Sequence, residues 1–178
     1  MGITRFGLVP SNIYTHKIFS SMFLHGSWMH LIGNMVYLWI FGNNIEDYLG
    51  HIKFLIFYLF CGLCATFIHI FSDLNSTIPV IGASGAISGV LGAYLLLYPK
   101  AKVKLLIWFG IVTILRVKAS IVLIFWFIYQ FLSVIRSSGG EGGGVAWWAH
   151  IGGFIAGVVI IHLMRKKKTF QEEKGPWD

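Results

Sequence analysis

The chain has 178 residues, of which 56% are hydrophobic and only 12% are charged, and its mean hydropathy is +0.74. This composition excludes an ordinary water-soluble domain and predicts a single domain that lies in a membrane. The formal net charge is +7, but the basic residues flank apolar runs, so they indicate membrane topology and not a nucleic-acid partner.

Apolar runs long enough to cross about 30 Å of hydrocarbon predict an all-α, polytopic transmembrane bundle, because a lipid-exposed backbone must satisfy its own hydrogen bonds. Pro10, Ser11 and Asn12 interrupt the first 24 residues, where we expect an irregular, partly interfacial lead-in. Five spans are predicted, at about 27–45, 52–71, 84–98, 119–135 and 147–164. The third span ends before Pro99, and its glycine and alanine content predicts burial within the bundle.

The segments outside the five spans are short or polar. Residues 103–115 are apolar but too short for a comfortable span, so we expect an interfacial or re-entrant segment there. The glycine-rich stretch 139–144 predicts a flexible loop. The chain becomes basic and polar near its end, which divides it into a membrane domain, 1–165, and a cytoplasmic tail, 166–178.

Cys61 and Cys64 form a Cys-x-x-Cys pair inside the second span. A pair of this spacing can serve redox chemistry or bind a metal, but the chain has no second cysteine pair. Packing within the bundle is therefore the preferred interpretation.

The distribution of basic residues predicts the orientation of the spans. With the tail in the cytoplasm and the spans alternating, eleven of the 14 basic side chains lie on the inner side, and three, Arg5, Lys17 and Arg136, lie outside. Counting 103–115 as a full span would remove this asymmetry. The first span then begins on the outer side, so we expect either a further helix ahead of Met1 or an atypical start.

Four polar side chains on three predicted spans fall at one depth, near the outer side. Ser84 opens the third span, and His150 lies near the outer end of the fifth. His30 and Asn34 are four residues apart, which places them on one face of the first span. Polar groups in lipid tend to face the bundle interior, so we expect these four side chains to converge.

Small residues indicate which spans pack closely, because they let helix backbones approach. Two stripes of such residues repeat at every fourth position of the third and fifth spans: Gly85, Gly89 and Ala93, and Ala149, Gly153 and Gly157. If these stripes face each other, the side chains of residues 84 and 150 lie at matching heights.

A serine and a neutral histidine at matching heights predict acyl-transfer chemistry, since the imidazole of His150 can take the proton of Ser84 as general base. No acidic residue falls mid-span near the outer side, so a dyad without a carboxylate is expected. The same absence excludes paired intramembrane aspartates, and the lack of a His-Glu-x-x-His motif argues against a membrane zinc protease.

The remaining polar groups could stabilise the oxyanion that forms when serine attacks an amide. The backbone N–H of Ser84, the amide of Asn34 and the imidazole of His30 are the candidate donors. Gly82 and Gly85 would let a substrate backbone come close to the serine.

Other interpretations of these residues stay open. A serine in a glycine-rich and alanine-rich helix is most often a contact between helices, and a histidine at a span end is more often interfacial or structural. His25, His30 and His150 could bind a metal, but no acidic or thiolate partner is near them, so we expect neither a metal nor another cofactor. A small transporter would need ion sites in mid-membrane, and the sequence offers no acidic ones.

The motif order resembles the rhomboid intramembrane serine proteases. It consists of His25-x4-His30-x3-Asn34, Gly82-Ala83-Ser84-Gly85 and Ala149-His150-Ile151-Gly152-Gly153. The segments 42–50 and 145–150 are similar to bacterial members in particular, and the match covers roughly residues 5–165. Family members commonly have a further helix ahead of residue 6, which is not in this sequence, and a Trp-Arg pair where this chain has residues 15–18.

The resemblance implies Ser84 as nucleophile, His150 as general base, and His30, Asn34 and the Ser84 N–H as the oxyanion hole. It implies an enzyme of the bacterial plasma membrane that cleaves transmembrane protein substrates near their outer ends, often at small residues. The alternative is a catalytically silent relative that binds or escorts membrane proteins. Transmembrane substrates and membrane lipids are the expected partners, and the oligomeric state is not indicated.

Overall fold

The computed structural model describes residues 2–108, 112–137 and 145–165. Within these ranges the chain forms eight α-helices and one two-stranded hairpin. The elements are α1 (Gly2–Phe6), α2 (Thr15–Ser20), α3 (Trp28–Tyr37), α4 (Asn43–Leu49), α5 (His51–Ser72), α6 (Ser84–Leu97), β1 (Lys102–Trp108), β2 (Val112–Lys118), α7 (Ala119–Ser137) and α8 (Trp147–Met164). A 3-10 turn, Ser21–Phe23, follows α2, and a π-helical turn, Leu38–Gly42, joins α3 to α4.

Helices lie at all five positions where the sequence predicts membrane spans. In the described part of the chain, α5, α7 and α8 are each long and apolar enough to cross a bilayer. Helix α6 has only 14 residues, and every residue from Gly85 to Tyr94 is buried, as its small side chains predicted. The segment from α3 to α4 is helical throughout, with the π turn in its middle. Together these helices make the protein a helical membrane bundle.

The contact between α6 and α8 forms the centre of this bundle. A Cβ atom at Gly153 would overlap the carbonyl oxygen of Gly85, and one at Gly157 would overlap that of Gly89. The backbones therefore touch along the two small-residue stripes, which face each other, as the matching heights of residues 84 and 150 require.

Helix α5 packs against both α6 and α8. Cys61 is fully buried and lies where a Cβ atom at Gly89 would overlap it. Cys61 and Cys64 are both free thiols. The position of Cys61 agrees with a packing role for the cysteine pair.

Residues 2–24 are short helical pieces joined by turns, and they anchor the loop that precedes α6. Leu8 is fully buried and exchanges two backbone hydrogen bonds with Val80, at N···O distances of 3.1 and 2.7 Å. The backbone N–H of Gly82 donates to the carbonyl of Ser21 at 2.9 Å. The lead-in thus fixes the segment that ends at Ser84.

Residues 103–115, predicted as an interfacial or re-entrant segment, fall mostly in the β1–β2 hairpin. Lys102 pairs with Lys118 and Lys104 with Arg116, which places four basic side chains on one face. The valines and isoleucines of both strands favour extended backbone. The described residues of this segment do not form a helical span, in agreement with its short length. The loop predicted at 139–144 and the tail 166–178 lie outside the described residues.

Candidate active site

Ser84 is the first residue of α6, and the backbone of Gly82 sets its position. Gly82 has φ = +118°, a conformation that strains any residue with a Cβ atom. A Cβ there would also lie 2.8 Å from the ring atoms of His30. The close approach predicted at Gly82 is thus made by the chain's own His30. The N–H of Ser84 belongs to the first turn of α6, whose amides have no acceptor within the helix.

His150 lies in the first turn of α8 and faces Ser84. Its Nε2 atom is 2.8 Å from Ser84 Oγ. The indole of Trp126 lies against the imidazole with ring centroids 5.9 Å apart, and the indole of Trp147 meets it edge-on at 6.0 Å. These two rings limit the rotation of the imidazole, so its nitrogen stays directed at the serine.

Gln130 on α7 contacts the other side of the same imidazole. Its Oε1 atom lies 2.8 Å from His150 Nδ1, and the side chain is only 3% exposed. Our sequence reasoning looked only for a carboxylate at this place and missed the amide. A signal was available, because Gln130 is the only charged or carboxamide side chain in residues 119–135 and lies four residues after Trp126.

Asn34 and His30 reach the same space from α3. Asn34 is buried, and its Nδ2 atom has no hydrogen-bond partner among the described residues. The imidazole of His30 packs against Gly82 and meets the ring of His25 edge-on, with centroids 5.1 Å apart. A buried N–H group without an acceptor is costly, so an oxygen atom placed next to it would be stabilised.

A cavity of about 380 Å³ brings these groups together. Its walls include Ser84, His150, Asn34, His30 and Trp126, so four helices contribute to it. The volume is within the range of small-molecule sites and is sufficient for a few residues of an extended peptide. All four polar side chains that the sequence placed at one depth therefore line one cavity.

Gly85 and Gly153, predicted to allow close packing or substrate approach, pack against each other in the α6–α8 contact. Neither lines the cavity, so the structure shows the packing role for both. In the described ranges, no group of three or more histidine, cysteine, aspartate or glutamate side chains is arranged to hold a metal ion.

Comparison with known proteins identifies the family. A rhomboid domain matches residues 13–167. Rhomboid protein 1, mitochondrial, from Saccharomyces cerevisiae is 31% identical over 112 residues, which is 60% of this chain and 32% of that protein. RHOMBOID-like protein 6, mitochondrial, from Arabidopsis thaliana is 31% identical over 161 residues, 88% of this chain and 46% of that protein.

Presenilin-associated rhomboid-like protein A, mitochondrial, from Danio rerio is 39% identical over 84 residues, 46% of this chain and 22% of that protein. The chain thus spans less than half the length of these three relatives. The domain match covers helices α2 to α8 and every side chain of the site, and on this ground the chain belongs to the rhomboid family.

Proposed function

We propose that this rhomboid-family protein is an intramembrane serine endopeptidase whose nucleophile is Ser84 and whose general base is His150. The observation that carries the proposal is the 2.8 Å distance between Ser84 Oγ and His150 Nε2 at the wall of a cavity. A serine that only joined two helices would need neither a cavity beside it nor an unpaired amide across that cavity. Family membership supports the same reaction.

The first half of the reaction acylates the serine. Ser84 Oγ attacks the carbonyl carbon of the scissile peptide bond while His150 Nε2 takes the hydroxyl proton. The carbonyl oxygen becomes an oxyanion, and the Ser84 N–H, Asn34 Nδ2 and His30 are the donors we assign to it. As the tetrahedral intermediate collapses, the C–N bond breaks, the leaving amine takes the proton from Nε2, and an ester remains on Oγ.

The second half hydrolyses this ester and needs water. The cavity rim includes Met29 and Val145, which are 76% and 44% exposed, and we propose that water enters from this outer side. The water gives a proton to His150 Nε2 as it attacks the ester carbon. Collapse of the second intermediate breaks the bond to Oγ, returns the proton to Ser84 and releases the new carboxyl end.

We propose that a transmembrane substrate enters laterally, with α7 as the gate. Helices α3 and α7 both contribute walls to the cavity, through Tyr37 and Trp126. Large side chains on the outer face of α7, such as Ile121 and Phe125, are 58% and 73% exposed. They contact lipid in this proposal, so displacement of α7 would leave the α6–α8 core intact. The flexible loop predicted at 139–144 lies outside the described residues.

The proposed orientation places the C-terminus, and with it the tail 166–178, in the cytoplasm of a bacterium. The excess of basic residues on the inner side supports it. An alkaline phosphatase fused after residue 178 should be inactive and a fluorescent protein fused there should be bright. The reverse pattern would contradict this orientation.

The test of the proposed activity uses the full chain in detergent and in liposomes with a model transmembrane substrate. A fluorophosphonate probe should label the wild type and fail on Ser84→Ala. His150→Ala should abolish cleavage while the bundle stays folded. Ser133→Ala, which removes a hydroxyl on α7 that donates to the Tyr129 carbonyl, is the matched control and should behave as wild type.

Asn34→Ala tests the oxyanion hole in the same assay. We expect kcat to fall by about 100- to 1,000-fold, less than for His150→Ala, since one donor of several is lost. A total loss together with a lower unfolding midpoint would mean that Asn34 supports the fold instead.

A folded wild type that neither reacts with the probe nor cleaves any substrate would favour the alternative function, a silent membrane-protein binder.

A further inference from the structure

We propose that Gln130 is the third member of the catalytic group, a positioning residue that fixes the tautomer and the direction of the His150 imidazole. The inference rests on the proposed peptidase function and adds a residue to it. It comes from the donor and acceptor types of three side chains in line: Gln130, His150 and Ser84.

The orientation of the Gln130 amide, with its oxygen towards the imidazole, selects one tautomer. An amide oxygen can accept a hydrogen bond but cannot donate one, so the contact of Gln130 Oε1 with Nδ1 at 2.8 Å requires the proton of the neutral imidazole to be on Nδ1. Nε2 then carries the free lone pair. This is the form that accepts the hydroxyl proton of Ser84, whose Oγ is 2.8 Å away.

The burial of Gln130 makes this contact a fixed one. The side chain is 3% exposed and lies on the inward face of α7 between Leu123 and Val134, which are 1% and 6% exposed. A primary amide in such surroundings is stabilised only by its hydrogen bonds, so it has a strong preference for the imidazole. Trp126, one turn earlier on α7, packs against the same ring.

The same contact couples the position of α7 to the orientation of the His150 imidazole. Gln130 and Trp126 are both on α7, and His150 is on α8, so the imidazole is fully oriented only while α7 lies against α8. If α7 moves outward to admit a substrate, it must return before the serine is activated.

The experiment compares three variants of the full chain in liposomes. Gln130→Leu keeps the size and removes the acceptor, Gln130→Glu keeps an acceptor oxygen at the same reach, and Ser133→Ala is the matched control on α7. For each we measure kcat and KM for a transmembrane substrate, the rate of fluorophosphonate labelling of Ser84, and the unfolding midpoint.

We expect Gln130→Leu to lower kcat and the labelling rate by about 10- to 100-fold with KM unchanged, because the base is no longer aligned. Gln130→Glu should stay within about tenfold of wild type, because burial keeps the new carboxyl group neutral and its carbonyl oxygen accepts from Nδ1 as the amide oxygen does. If Gln130 had only a structural role, Gln130→Leu would lower the unfolding midpoint, and kcat would not fall at constant KM. If Gln130→Leu does not fold, Gln130→Glu decides: retained activity supports the inference.

Two results would overturn the inference. The first is wild-type kcat in a folded Gln130→Leu, and the second is a folded Gln130→Glu as inactive as His150→Ala. In both cases the wild type still cleaves, so the proposed function stands. If the wild type and all variants fail to cleave and fail to react with the probe, the proposed function fails and the inference fails with it.

Discussion

The contact between α6 and α8 sets the distance between the two proposed reacting side chains, and Gly153→Ala tests this dependence. Gly153 lies one turn after His150, and its Cα faces the carbonyl of Gly85, the residue after Ser84. The added methyl group would overlap that carbonyl oxygen. Since both atoms belong to or adjoin helix backbone, no side-chain rotation relieves the overlap.

The size of the effect follows from contact distances. A carbon atom and a carbonyl oxygen approach to about 3.3–3.6 Å, so the two helices must separate by about 1.3–1.6 Å. The Oγ–Nε2 distance of 2.8 Å then grows to about 4.1–4.4 Å, beyond hydrogen-bond range. A displacement of this size lowers kcat by about 100-fold, and overpacking destabilises the fold by about 1–3 kcal/mol.

The assay measures cleavage of a transmembrane substrate, with the unfolding midpoint recorded in parallel. KM should change little, because Gly153 does not line the cavity. Gly2→Ala is the matched control, since nothing lies within 4 Å of the position of its Cβ atom. Wild-type kcat and an unchanged midpoint for Gly153→Ala would refute the link between helix packing and the dyad.

Three further predictions concern the surroundings of the site. Gly82→Ala should lower both stability and probe labelling, because φ = +118° costs a Cβ-bearing residue about 1–3 kcal/mol and the methyl group would press on His30; unchanged labelling of Ser84 would contradict it. Leu8→Ala should lower the unfolding free energy by about 2–5 kcal/mol, since Leu8 is fully buried beside the loop before α6; a neutral effect in chemical denaturation would be the contrary result. A disulfide between α3 and α7 should slow cleavage of a transmembrane substrate but not labelling by the small probe, with the reduced protein as control, and equal cleavage in both states would refute the lateral gate.

The fold was largely predictable because membrane spans have strong local signals. The five spans follow from runs of apolar residues, and the α6–α8 contact follows from the glycine and alanine repeats on these two helices. Both signals are local, because each run or repeat can be recognised within a single helix. The convergence of Ser84 and His150 could be predicted for the same reason, since depth along a span fixes height in the bundle. Topology and small-residue spacing together left few other arrangements.

What could not be predicted depends on contacts between distant segments. The pairing of Leu8 with Val80 joins residues 72 positions apart, and no local pattern in the lead-in indicates it. The hairpin at 102–118 was ambiguous because a short apolar run fits a strand as well as a buried helix. The role of Gln130 was not predicted, because an ionised carboxylate was the expected partner of His150 and the residue that contacts it is neutral.

A neutral residue at this position agrees with the physics of the membrane. An ionised carboxylate on the inward face of α7 would be buried among apolar side chains, where an uncompensated charge is very costly. An amide supplies the acceptor that orients the imidazole and adds no charge. During the reaction the imidazolium and the oxyanion form together on either side of Ser84, so their opposite charges stabilise each other at short range in a medium of low dielectric constant. The site can thus create and remove a charge pair without ever carrying a net charge within the bundle, which an ionised carboxylate in place of Gln130 would not permit.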